Sequence, residues 1–293
     1  MGLFHFVRRI CRHPANRGRR LRALARAAWW ELRGRPAVTF HMYGGMRVRC
    51  ERDSGVSMGL VYYSGRPEYH EMGLVSHLLR PGDAFLDIGA NAGYYSLLAA
   101  SRIAPTGSVD AVEPSPPALA RLRSHLALNG LSCVRIHELA LSDTADTRPF
   151  IADRDTENRF ATPAESSPST VLTARLDDLF PDPAFALAKL DVEGAESLVL
   201  HGAEKMLARS RPPVWLLEMD KHLHAFNTTE AELAAWLRAR GFDLGLYDAD
   251  TRTFTFGETP WTERPNVVAV ARAAREEVER KVKESVQSGL EKA

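Results

Sequence analysis

Apolar and polar positions along the chain fall into three regimes. Between residues 21 and 32, Leu21, Leu24, Ala25, Ala28, Trp29 and Leu32 recur at the i, i+3, i+4, i+7 spacing of an amphipathic helix, with arginines on the other face. Residues 37–63 hold short β-rich runs at Val38–Phe40, Met46–Arg49 and Leu60–Tyr63, and Tyr43-Gly44-Gly45 supplies a hairpin turn. Residues 69–80 then read as a helix stopped by Pro81-Gly82. From residue 83 the rhythm changes to short apolar runs alternating with helical stripes. The runs Phe85–Ile88, Val109–Val112, Val134–Leu139, Leu187–Leu190 and Val214–Leu217 are predicted strands. Helices are predicted at Tyr94–Ile103, from Ser115-Pro116 to Asn129-Gly130, over about 195–208, and from the Thr229 to Glu232 capping box to Gly241. This alternation predicts an α/β fold with a doubly wound, mostly parallel sheet covered on both faces.

The end of the chain breaks the alternation. Phe242–Tyr247, Thr253–Phe256 and Asn266–Val270 are strands with no helix between them, so an antiparallel hairpin closes the sheet. Residues 144–170 are polar and rich in Pro, Ser and Thr, and a long insertion there suits a functional lid. The chain therefore divides into a basic amphipathic extension (1–36), a small β/α subdomain (37–82), the main α/β domain (83–271) and a charged tail (272–293) read as a solvated or frayed helix.

Composition narrows the class. With 293 residues, 45% hydrophobic and 26% charged, the chain is neither disordered nor fibrous. No apolar run approaches the roughly 18 residues needed to span a bilayer. Cys11, Cys50 and Cys133 are too few and too far apart for a disulfide framework or a thiolate zinc site, which fits a reducing cytoplasm. The net charge of +1 conceals an asymmetry. Residues 1–35 carry ten arginines and one acid, a local +9, whereas the rest of the chain is −8. Two readings of the basic segment stand: a helix docked on its own domain, or one lying on the anionic inner surface of a membrane. A nucleic-acid role is not expected, because the body is acidic and no aromatic-basic reading motif occurs.

Three stretches carry chemistry. In Phe85–Tyr94 a strand runs into a turn holding Gly89, Asn91 and Gly93 and then into a helix, a place where glycines let backbone approach a ligand and helix N–H groups favour an anion. The spacing is G-x-x-x-G rather than G-x-G-x-x-G, and Asp87 beside the turn is poorly placed for a pyrophosphate. An acidic neighbour suits a cationic ligand such as S-adenosylmethionine. Glu113 closes the next strand 24 positions after Gly89, where an acid accepts ribose hydroxyls. The third stretch, Lys189–Glu196, puts Asp191, Glu193 and Glu196 at the carboxyl end of a later strand, with Lys189 and Asp191 on one side of it. Carboxylates so close need a cation, a metal or a proton to offset them.

On these residues the chain resembles the FkbM-like family of class I S-adenosylmethionine-dependent methyltransferases. The resemblance rests on LDIGANAGYYS at 86–96, VEPSP at 112–116, ALSD at 140–143 and KLDVEGAESLVLHGA at 189–203, and covers roughly residues 38–270. It implies a seven-stranded Rossmann-like sheet, with the donor lying across the first two strand ends. By position, Asp87, Gly89, Asn91 and Gly93 would hold the methionyl part, Glu113 the ribose, and Ser142 and Asp143 the adenine. Asp191 would face the transferring methyl. The acceptor class it implies is a hydroxyl of a sugar, glycan or other natural product.

Methyl transfer from a sulfonium is an in-line displacement helped by a base at the acceptor oxygen. Asp191 is the first candidate, with Lys189, Glu193 and Glu218 next; Glu218 ends the strand after it and opens onto the same crevice. A divalent metal drawing on Asp191, Glu193, Glu196, His222 and His224 is the less favoured route, since no dedicated metal spacing occurs. The rivals are an NAD(P)-binding oxidoreductase on a similar sheet and a non-catalytic membrane-surface protein with a vestigial pocket. Neither the acceptor nor the oligomeric state is written in the sequence.

Overall fold

The computed structural model describes residues 3–51, 62–152, 158–162, 165, 167, 169–182 and 184–284. Two helices open the chain, α1 (Leu3–Arg12) and α2 (Arg20–Leu32), followed by the antiparallel pair β1 (Val38–His41) and β2 (Arg47–Cys50). After α3 (Tyr69–Leu78) come β3 (Ala84–Ile88), α4 (Tyr94–Ile103), β4 (Ser108–Val112), α5 (Pro116–Asn129) and β5 (Val134–His137). A side sheet follows, built from β6 (Ala140–Leu141), β7 (Thr147–Ile151), β8 (Arg159–Phe160) and β9 (Thr170–Ala174). The chain then returns through α6 (Leu176–Leu179), β10 (Phe185–Leu190), α7 (Glu196–His201), α8 (Glu204–Ala208) and β11 (Val214–Glu218). It ends with α9 (Glu230–Ala239), β12 (Phe242–Asp248), β13 (Thr253–Phe256), β14 (Asn266–Ala271) and α10 (Arg275–Glu284).

The main sheet has the order β13-β12-β14-β11-β10-β3-β4-β5. Strands β5, β4, β3, β10 and β11 are mutually parallel, and β14 inserts antiparallel between β11 and β12. That is the doubly wound sheet of seven strands with an antiparallel closing strand, to which β13 adds an eighth at the edge. Order reverses between β3 and β10, so the connections leaving these two paired strands diverge and leave a crevice above their carboxyl ends, the usual ligand position in such sheets. Two cores flank the sheet. One packs α3, α4, α5 and α10 together with the N-terminal segment, and the other packs α7, α8 and α9.

Several local expectations change. Tyr62 and Tyr63 are helical rather than extended, because their rings close an aromatic cluster with Trp30 and Phe40, while Leu60 and Val61 lie outside the described residues. The helix expected over 195–208 is broken at Gly202-Ala203 into α7 and α8. Ser115 stands at the N-cap position of α5 without capping it; its hydroxyl accepts from Asn158 Nδ2 at 3.2 Å. The capping box of α9 forms as expected, with Thr229 and Glu232 exchanging bonds. The charged tail is not merely solvated: Val278 and Val282 bury one face of α10 against the domain. The 144–170 insertion is a small ordered sheet over the part that is described, not a loose loop.

Helix α2 docks on the domain by a face that its periodicity did not mark. Ala23, Ala27 and Trp30 are buried; of the predicted stripe Leu24 packs half-buried against the core, while Leu21, Ala25, Ala28, Trp29 and Leu32 are left outside. The indole N–H of Trp30 donates to Pro36 O at 3.0 Å, and its ring meets Tyr62 and Tyr63. Aromatic rings supply a larger apolar surface than leucine, and the aromatic cluster decided which face turned in.

Candidate active site

The crevice encloses about 280 Å³ and is lined by the carboxyl ends of β3, β4, β10 and β11, by Pro67 and Glu68 ahead of α3, and by the side sheet. Asp87, on β3, is fully buried behind it. Its Oδ2 accepts from Ser96 Oγ at 2.6 Å, and its Oδ1 has no partner among the described residues. Burial raises its carboxyl, against the attraction of Lys189. The negative charge favoured at the start of a helix is thus supplied by the protein itself, with α4 donating to Asp87 through Ser96. The turn N–H groups are spent internally. Those of Gly89 and Ala90 reach Val112 O, that of Asn91 reaches Glu113, that of Ala92 its neighbour's Oδ1, and that of Gly93 reaches Ala90 O.

The glycines serve packing rather than close approach to a ligand. A Cβ on Gly89, at φ +75°, would sit 1.8 Å from the carbonyl oxygen of Asp191. One on Gly93 would sit 2.3 Å from Leu122 Cδ1. The tight passage of β3 past β10 is what brings Asp191 to the crevice.

Glu113 is 5% exposed, and both its oxygens accept backbone N–H groups, from Asn91 and Ser115 at 2.8 Å each. It braces the turn to the end of β4 while lining the crevice, and burial pushes its carboxyl up to about 7. Lys189 is 6% exposed; its Nζ bonds Asp191 Oδ2 at 2.8 Å and lies 5.0 Å from the Tyr95 ring centre. Burial alone would lower its ammonium, yet Asp191, Asp87 and Glu68 together raise it above its ordinary value. Lys189 therefore stays cationic at neutral pH and cannot take a proton. Tyr95 OH donates to Glu68, whose carboxyl burial pushes up to about 7.

Asp191, Glu193 and Glu218 bring one carboxylate oxygen each within 4.8 Å of one another. The negative charge of Asp191, then burial and Glu193, hold the Glu218 carboxyl well above the ordinary carboxylate range. Counting Glu68 and Glu113, five carboxylates line the crevice against two cationic side chains, Lys189 and Arg159. Of those two, Arg159 is engaged by Glu165 at 2.6 Å. With more carboxyl groups than cations, and with Glu68, Glu113 and Glu218 able to give up protons as a positive charge arrives, the crevice accepts a cation more readily than a pyrophosphate, which counts against the dinucleotide reading.

Residues 87–244 match the family model for the methyltransferase FkbM domain, over half of the chain. The chain belongs to the FkbM methyltransferase family. Among the FkbM relatives, the 2-O-methyltransferase NoeI of Sinorhizobium fredii is 29% identical over 159 residues, 47% of this chain and 64% of that protein. The 31-O-demethyl-FK506 methyltransferase FkbM of Streptomyces tacrolimicus is 29% identical over 179 residues, 59% of this chain and 68% of its own. The chain thus spans about two thirds of the length of each. Among solved structures, the methyltransferase FkbM of Methylobacillus flagellatus aligns with TM-score 0.42 at 15% identity, covering 73% of this chain and 54% of that one.

Within the FkbM domain most expected positions converge. Gly89, Asn91, Glu113, Lys189, Asp191, Glu193 and Glu218 line one crevice, with Asp87 immediately behind it and Gly93 in the packing beneath. Ser142 and Asp143 do not line it. Ser142 is fully buried and donates to Asp143 at 2.9 Å, and Asp143 pairs with Arg148, so both are taken up in joining the side sheet. Leu139, Ala140 and Leu141, just before them, form the wall instead. Glu196 also turns away, accepting from Val192 N at 2.9 Å and Gly194 N at 3.4 Å. His224 pairs with Glu230 at 2.9 Å, and His222 lies 3.4 Å from Glu193. The residues of the less favoured metal route are therefore only partly gathered: Asp191, Glu193 and His222 stay near one another, while Glu196 and His224 do not join them. Sequence reasoning missed Glu68, Tyr95, Phe150, Asn158 and Phe160. Tyr95 stands inside the quoted LDIGANAGYYS, whereas nothing in the sequence marks Glu68.

Proposed function

We propose that this chain is an S-adenosylmethionine-dependent methyltransferase of the cytoplasm that methylates a hydroxyl oxygen of a small-molecule or glycan acceptor. The observation carrying it is the surplus of carboxyl groups in the crevice beside a buried Asp87 oxygen that has no partner among the described residues. S-adenosylmethionine suits such a site, since when bound it supplies an electrophilic methyl on a sulfonium and carries an ammonium. Asp87 and Asn91 would hold its methionyl end and Glu113 its ribose, with Leu139, Ala140 and Leu141 beside the base. Asp191 orients the acceptor hydroxyl and takes its proton at a carboxylate oxygen, while Lys189 holds Asp191 in place. The side-sheet aromatics Phe150 and Phe160 exclude water from that wall. Oxygen as the methylated atom is supported by the O-methyltransferase names of the relatives above, and the sugar or natural-product class by the family resemblance. Mass spectrometry of saccharides incubated with the enzyme and isotopically labelled donor tests it. A gain of one labelled methyl on oxygen is expected, and labelling of nitrogen alone would refute the assignment to oxygen.

Donor binding carries a charge signature. In the free crevice Glu218 is protonated at neutral pH because its carboxyl is raised. A cation beside it favours the ionised form, so its pKa falls on binding and a proton leaves. Calorimetry in buffers of different ionisation enthalpy should show proton release with S-adenosylmethionine, and affinity should increase as pH rises through neutrality. Heats independent of the buffer would contradict this.

The trio of Asp191, Glu193 and Glu218 could equally accommodate a divalent ion by distance. Offset by Lys189 and by the donor, it needs none. Turnover in excess EDTA is expected to match that in its absence, whereas a loss restored by Mg²⁺ would move the trio to metal binding.

A further inference from the structure

Helix α2 has two apolar faces, and the domain uses one. At about 100° per residue, Leu21, Ala25, Ala28 and Leu32 fall within about 60° of one another, opposite Ala23, Ala27 and Trp30. The inner set is buried; Leu21 and Leu32 are 84% and 86% exposed, and Trp29, on the flank, is 43% exposed. Among the described residues five large hydrophobics are exposed, and four of them, Val7, Leu21, Trp29 and Leu32, lie within the first 35 positions. Folding does not account for this stripe, since Trp30 and the alanines already seat the helix.

Charge says what covers it. Arg22 and Arg33 lie beside the stripe on its Trp29 side, are exposed, and belong to a segment of net +9. A partner must present apolar surface flanked by negative charge. A bilayer with anionic headgroups does so at the right depth, because leucines enter the acyl boundary, the indole of Trp29 sits at headgroup level and arginines pair with phosphates.

We propose that the outer face of α2 docks the protein on an anionic lipid surface. The face is joined to the crevice through the same segment. His13 Nε2 lies 2.8 Å from Pro67 O, and Pro67 and Glu68 line the crevice wall. The proposal does not depend on methyl transfer.

The test is sedimentation of the full-length protein with vesicles of equimolar phosphatidylglycerol and phosphatidylcholine, against vesicles of phosphatidylcholine alone. Binding is expected with the anionic vesicles only and should weaken with added salt. The variant Leu21→Glu/Leu32→Glu should lower partitioning at least about tenfold. Its melting temperature and its response to S-adenosylhomocysteine should match wild type, as both residues lie outside the packing and the site. Equal binding to both vesicle types, no binding, or unchanged binding of the variant would overturn the proposal. So would a dimer that the variant dissociates without any vesicle binding, which would give the face to a second copy of the chain.

Discussion

Replacing Asp191 by asparagine should lower kcat by about 10²–10⁴-fold, the usual contribution of a positioned general base. Asparagine keeps the size of the side chain and one acceptor oxygen, so the bond from Lys189 Nζ, 2.8 Å in the native chain, can persist. What is lost is the charge that receives the acceptor's proton. Donor affinity should fall less than turnover, because Glu193 and Glu218 still face the crevice. Single-turnover rates with labelled donor and calorimetry with S-adenosylhomocysteine separate the two effects. The variant's rate should climb with pH, as solvent hydroxide replaces the missing base. If turnover stays at the native level while the donor binds normally, proton removal belongs elsewhere, and Glu218, with a carboxyl oxygen within 4.8 Å of those of Asp191 and Glu193, is the next candidate.

The second large effect is structural and begins one strand away. In Gly89→Ala the new methyl would meet the Asp191 carbonyl at 1.8 Å, from a backbone at φ +75°. The clash is with backbone, so β3 and β10 must part. Left-handed strain and overpacking together should cost about 2–4 kcal/mol. The bond from Asp191 N to Ile88 O, 3.1 Å long, is the first to go. Gly130→Ala is the control: its φ is +64° with nothing within 4 Å, so it carries the backbone term alone, about 1 kcal/mol. Thermal melts and S-adenosylhomocysteine titrations of both variants decide the matter. Equal shifts and equal affinities would show that the approach of Asp191 is not what demands glycine at 89.

These two residues mark how far the sequence could be read. The pairing of Lys189 with Asp191 followed from the period of an extended strand, and the convergence of Gly89, Glu113 and Asp191 followed from where parallel sheets end. The function of the glycine did not. The sequence suggested room for a ligand, whereas the folded chain uses that room for the carbonyl of a residue about a hundred positions away. That Ser142 and Asp143 stand outside the crevice lining was hidden for a related reason, since the side sheet that absorbs them forms only when β6 pairs with β9 from the far end of the insertion. Glu68 was invisible because a single acid ahead of a helix has no pattern; Tyr95 and Lys189 give it meaning only in space.

Helix α2 makes the same point at the surface. Its period correctly predicted an amphipathic helix, and the opposite face went in. Periodicity along one helix orders positions around its axis, but the choice between two apolar faces depends on the rings of Phe40, Tyr62 and Tyr63, which come from other elements.

Local order is therefore what this sequence determined alone: strand and helix alternation, the capping box at Thr229, the acids at strand ends, and a basic segment set against an acidic body. These depend on neighbours a few positions apart, whose geometry the backbone dictates. Tertiary structure decided which carboxylates face one cavity, which are consumed in bracing it, and which side of α2 meets water. Those outcomes rest on contacts between distant segments, where close packing lets only one arrangement fill the space.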